Sequence, residues 1–140
     1  TMANYTCASR TNYFRVTDEA EYEKLFNCLC SEDSIEDMSE TRNGVIYHAF
    51  GSYGSIDYCD DSDPDSMDDI EVFAKKLQKI MPDDDAFILF ESGNEKLRYV
   101  TGTALIVTKN SIKCPSIQKI AIDMCKSLLG NDNFDTQTSY

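Results

Sequence analysis

The side chains best suited to chemistry in this sequence are carboxylates. Asp61-Ser62-Asp63-Pro64-Asp65 puts oxygen atoms at positions 1, 3 and 5 of a calcium-type loop, with Asp69 at position 9. The match then breaks. Ser66 stands where the sharp turn wants Gly, Val72 stands where a bidentate Glu belongs, and Glu71 falls one residue short. A solvated acidic loop leading into a helix is the better reading, so no metal site is assigned and no cofactor is expected. Acid–base catalysis by paired carboxylates needs one buried member with a raised pKa, and the number of acids alone does not supply it. His48, the single histidine, sits in a predicted strand on the same face as Ile46 and Phe50 and reads as a structural side chain. No Gly-x-Ser-x-Gly, His-Glu-x-x-His, P-loop or dinucleotide fingerprint occurs, and Gly51-Ser52-Tyr53-Gly54 reads as a hairpin turn. The expectation is a protein that is not an enzyme.

Six cysteines, Cys7, Cys28, Cys30, Cys59, Cys114 and Cys125, are scattered without a Cys-x-x-Cys pair. Cys28 and Cys30, two apart on a predicted helix, point to different faces and cannot jointly grip a metal. They read as reduced thiols of a cytosolic protein.

Composition narrows the partners. The 140 residues carry 25 Asp and Glu against 13 Lys and Arg, a net charge of −12. That balance disfavours direct contact with nucleic-acid phosphates or an anionic membrane and favours basic proteins or cations. The six aromatics Tyr47, Phe50, Tyr53, Tyr58, Phe87 and Phe90 could stack RNA bases on an open sheet. The strands lack the basic RNA-binding consensus, however, so core packing explains most of these rings better. The hydrophobic fraction of 41%, with 7 Phe and 8 Tyr, is too rich for a disordered acidic tail, and no apolar run is long enough to span a bilayer. The N-terminus lacks a secretory pattern, and Met2 is the expected natural start, with Thr1 a remnant.

The acids are concentrated. Glu32, Asp33, Glu36, Asp37 and Glu40 form one cluster. Asp57, Asp60, Asp61, Asp63, Asp65, Asp68, Asp69 and Glu71 form a second, and Asp83 to Asp85 a short third. The first two hold more than half of the 25 acids. Carboxylates spaced along a surface can imitate the phosphates of a duplex and draw in a basic groove.

The elements that must position these groups follow from periodicity. Residues 1–10 are expected to be loosely held, and residues 11–140 to form one domain. Asn12 to Val16 reads as a strand. Asp18 with Glu21 opens a helix carrying Tyr22, Leu25, Phe26 and Leu29 on one face. Residues 31–43 read as a loop or a frayed turn, and residues 45–50 and 55–59 as a hairpin. Ser66 with Asp69 starts a second helix, closed by Pro82. Residues 86–91 and 97–108 make another strand pair joined by Ser92-Gly93-Asn94-Glu95. Ser116 caps a last helix, stopped by Gly130, with Ile117, Ile120, Ala121, Met124 and Leu128 on one face. The order β-α-β-β-α-β-β-α predicts an α+β domain: a mainly antiparallel sheet with helices on one face, a ferredoxin-like core with an added strand and helix.

Ser9-Arg-Thr-Asn-Tyr-Phe-Arg-Val16, Tyr47-His-Ala-Phe-Gly-Ser-Tyr-Gly-Ser-Ile-Asp-Tyr58, Glu95-Lys-Leu-Arg-Tyr-Val-Thr-Gly102 and the tail from Leu128 to Tyr140 resemble segments of small acidic accessory proteins. Such proteins are carried by phages and conjugative elements, and their class includes anti-CRISPR and antirestriction proteins that mimic DNA. The resemblance implies a class and supplies no contact residues. With the charge pattern, it makes the expected partner a basic nucleic-acid-binding protein such as Cas9 or another defence nuclease in the host cytosol. The two acidic clusters would make the contact, and Tyr53 and Tyr58 would anchor its rim. The alternatives are an adaptor acting through the aromatic hairpin, a calcium-dependent module, and a protein that sequesters a small signalling molecule.

Overall fold

The helix signals written in the sequence are realised at their ends. In a computed structural model, which describes residues 5–60 and 69–138, Asp18 caps the first helix by accepting from the Glu21 amide at 3.1 Å. The second, expected to start at Ser66, has Asp69 itself as its cap, accepting from the Glu71 amide at 3.0 Å. Ser116 caps the third through the Lys119 amide, and Gly130 ends it at a φ of 62°, a left-handed conformation that favours glycine.

In chain order the elements are β1 (Thr6–Thr11), α1 (Glu19–Asn27), β2 (Leu29–Ser31), β3 (Glu36–Asp37), β4 (Glu40–Arg42), β5 (Val45–Tyr47), β6 (Phe50–Ser52), β7 (Ile56–Tyr58), α2 (Ile70–Gln78), β8 (Phe87–Glu95), β9 (Tyr99–Val107), β10 (Ile112–Lys113) and α3 (Ile117–Leu129). Six strands form one sheet in the order β10-β9-β8-β1-β6-β3, and two small ladders join β2 to β7 and β4 to β5. The molecule is therefore α+β with an antiparallel sheet, as expected. Within that class, a ferredoxin-like core would bring two parallel strands together at its centre, whereas every strand pairing among the described residues is antiparallel.

The sheet corrects several local expectations. Residues 6–10, expected to be loosely held, form most of β1, which lies between β8 and β6. The expected strand from Asn12 to Val16 reduces to a bridge between Phe14 and His48. Asn12 extends the β1–β8 ladder instead, its side chain bonding both the Ala86 carbonyl and the Ile88 amide at 2.8 Å. Residues 31–43 hold β3, β4 and the end of β2 rather than a loop. The expected hairpin of residues 45–59 divides, because β6 joins the main sheet while β7 pairs with β2. Ser92 to Glu95 continue β8, and the turn falls at residues 96–98 with Lys96 at a φ of 48°. Ser66 lies outside the described residues.

The core lies on the sheet face that carries Phe87, Leu89, Leu105 and Val107. Tyr22 and Leu25 of α1 and Phe73, Ala74 and Leu77 of α2 cover it. Edge-to-face ring pairs tie these layers together, Phe14 to Phe87 at 5.0 Å and Phe50 to Phe73 at 6.5 Å. The third helix departs from this plan. Its Ile117 rests on Gly102, whose residue neighbours Leu105 and Val107 in β9 but faces the opposite side of the sheet. Ile117 itself, with Ile120, Met124 and Leu128 along the helix, stays exposed, and none of the residues of this helix is buried.

Candidate partner-binding surface

The short β2–β7 ladder brings Glu32 and Asp33 of the first acidic cluster beside Asp57 of the second. Leu29 pairs with Tyr58, Cys30 with Asp57 and Ser31 with Ile56. A disulfide between Cys30 and Cys59 fastens the same two segments, with a Cα separation of 6.4 Å, so two of the thiols expected to be reduced are bonded. Cys30 lies in β2 and Cys28 caps α1, rather than both lying within a helix.

Alternation in β7 buries Ile56 and Tyr58 and turns Asp57 outward. Glu32 and Asp33 follow directly from β2, and their backbone amides lie against Gly54, where a Cβ would meet them at 3.7 and 3.6 Å. Glu32, Asp33 and Asp57 thus come from both clusters and stand exposed around one ladder. Glu36 and Asp37 continue the edge as β3, the outermost strand of the sheet. Tyr53, 76% exposed, projects at the turn between β6 and β7.

Other expected contact residues have different duties. Tyr58 is 1% exposed and packs on Phe73, so it is a core residue and not a rim anchor. Strand alternation decides this, because Tyr58 and Asp57 must face opposite ways. Asp60 is half-buried, accepts from the Tyr58 hydroxyl at 3.4 Å and pairs with Lys76 at 3.8 Å. Asp69 is the α2 cap, and Glu71 is exposed in the first turn of that helix. Asp61, Asp63, Asp65 and Asp68 lie outside the described residues. Among the described residues, no group of three or more His, Cys, Asp or Glu side chains could hold a metal ion.

Several acids away from this ladder are matched by cations. Arg15 binds Asp84 at 2.9 Å and Asp85 at 3.3 Å, and Lys109 binds Asp83 at 2.6 Å, so the third acidic run is paired. Arg42 pairs with Glu40, holding that carboxyl below its usual range, and lies 5.1 Å from the ring centres of both Tyr13 and Tyr47. His48 Nε2 lies 2.7 Å from a Glu19 oxygen and its ring 4.0 Å from that of Tyr22, a structural setting at the base of α1.

The sequence did not single out the opposite sheet face as a site. Beside α3 it remains open, and between β8 and β3 it forms a groove of about 370 Å3 that includes Arg10, Glu36, Tyr53 and Phe90. One signal pointed there: consecutive apolar residues from Phe87 to Phe90 place apolar side chains on both faces of β8.

No protein-family model, curated protein or solved structure matches the chain. The geometry alone defines its class, an α+β domain with an acidic edge, an exposed tyrosine and an open sheet face. No helix among the described residues is long and apolar enough to cross a membrane.

Proposed function

We propose that this protein is a non-enzymatic inhibitor whose acidic edge occupies the nucleic-acid-binding groove of a basic partner. The partner is a CRISPR effector such as Cas9, or another defence nuclease of the host cytosol. The observation that carries the reading is the convergence of Glu32, Asp33 and Asp57 from two separate acidic runs on the β2–β7 ladder. Carboxylates held on a sheet edge offer guanidinium and ammonium groups a fixed series of acceptors, as phosphates do. Attraction of this kind raises the association rate and weakens with salt.

The test is target-DNA binding by a Cas9–guide complex with increasing amounts of the protein, at low and high salt. The wild-type chain competes with DNA and loses potency as salt rises. The combined Glu32→Gln, Asp33→Asn, Asp57→Asn variant keeps its fold and loses competition. Full competition by that variant would sink the reading. Exposure of Tyr53 favours a second reading, an adaptor that docks through the aromatic turn. In that case binding is insensitive to salt and is lost in Tyr53→Ala.

A further inference from the structure

The groove on the open sheet face joins features that the acidic edge does not explain. Arg10, Gly51 and Glu36 form one row across three strands, Gly51 being paired with both of the others. Gly51 carries no side chain, and a Cβ there would meet the Ser9 carbonyl oxygen at 2.8 Å and the Met38 methyl at 3.2 Å. The row therefore has a cation at one end and a carboxylate at the other, over two strand spacings or roughly 10 Å, with the Met38 methyl lying over the glycine between them. Phe90, 48% exposed, stands beside Arg10 in the β1–β8 register, and Tyr53 and Met38 complete the walls.

Arg10 is distinctive in its charge environment. Arg15, Arg42 and Arg98 each face a carboxylate of this acid-rich chain. Among the described residues, Arg10 has no carboxylate partner, and its Nε donates only to the neighbouring Thr11 carbonyl at 3.2 Å. A guanidinium left in this state presents its remaining N–H groups to a planar, two-oxygen anion. The volume falls within the range of small-molecule sites.

We propose that this groove binds a small aromatic anion bearing an amino group, of nucleoside monophosphate size. Its phosphate or carboxylate sits on Arg10, its ring lies against Phe90 and Tyr53, and its amine donates to Glu36. The site is independent of the contact proposed for Glu32, Asp33 and Asp57, so either can fail without the other.

Isothermal titration of the full chain with adenosine monophosphate, adenosine and 6-amino-2-naphthoate tests the site. At least one of the two anions binds, and the tighter of them identifies phosphate or carboxylate as the recognised group. Adenosine, which lacks the anion, binds more weakly than its monophosphate. Arg10→Gln and, separately, Phe90→Ala weaken the bound anion about tenfold or more, while circular dichroism and melting temperature stay as in wild type. Both side chains reach solvent, so loss of fold is not expected from either change. Absence of heat with both anions at about 1 mM overturns the proposal. Measurable and equal binding of adenosine and its monophosphate overturns it too, as does an Arg10→Gln variant that binds like wild type.

Discussion

The hydroxyl of Ser9 in β1 donates to the carbonyl of Gly54 at 2.8 Å, in a buried bond between residues 45 apart in sequence. Ser31 and Ser52 make a parallel contact at 2.9 Å between their hydroxyls. These two bonds hold the turn that carries Tyr53 against the sheet. Ser9→Ala leaves the Gly54 carbonyl without this donor and is expected to cost about 1–2 kcal/mol. Urea unfolding measures the loss, and faster hydrogen exchange at residues 53–55 locates it.

Cys30 and Cys59 close a loop with a sequence separation of 29. Restricting the unfolded chain over such a loop is worth about 3–4 kcal/mol in the loop-entropy account. Cys59→Ser is expected to lose stability on that scale, and reductant to shift the urea midpoint of the wild type but not of the variant. Equal sensitivity of both proteins to reductant would falsify the role given to this bond.

Phe73 is fully buried among Phe50, Tyr58 and Phe87, whereas Leu128 of α3 is 83% exposed. Truncating the first opens a cavity in the core, and Phe73→Ala is expected to cost about 3–5 kcal/mol. Leu128→Ala removes a side chain already in water and is expected to change stability by no more than about 0.5 kcal/mol. Paired thermal melts of the two variants check the contrast.

Alkaline pH acts through tyrosine. Burial pushes the Tyr5 hydroxyl up to about 12, with the Glu91 carboxylate adding to the effect and the Thr101 hydrogen bond opposing it. Burial likewise raises Tyr22, helped by the charges of Asp37 and Glu19. Both groups hold their protons more tightly in the folded chain than in the unfolded one, whose ordinary value is 10.0. Their contribution is therefore fully present below pH 10 and is lost as pH rises through the folded values. The urea midpoint should fall between pH 10 and 12, and less steeply in Tyr22→Phe. A midpoint that stays level to pH 12 contradicts this account.

What could be read along the chain was local. Asp18, Asp69, Ser116 and Gly130 mark helix ends through bonds to residues two to four positions away, which a sequence window contains. Thr6–Thr11 is polar and becomes a strand by pairing with β6 and with β8, whose partner residues lie 78 to 88 positions away. Ser92-Gly93-Asn94 has the composition of a turn, yet Gly93 continues the strand beneath the Tyr5 hydroxyl, where a Cβ would come within 2.6 Å. The apolar spacing of α3 correctly indicated a helix but not what would cover it. At the surface, the acidic runs were visible as charge, while the approach of Glu32 and Asp33 to Asp57 depends on the β2–β7 pairing. The Arg10 groove depends on the register of three strands, and local spacing carries no trace of it.

Both borders of the six-stranded sheet are only two residues long. One is Ile112–Lys113 and the other Glu36–Asp37. A border strand exposes unpaired backbone groups to which a further strand can add, and brevity and charge each discourage that addition. A second sheet approaching β3 would bring its own Glu36 and Asp37 against the same carboxylates. The acidic edge thus opposes growth of the sheet: two copies meeting at this border would set like charges against each other before their backbones could pair.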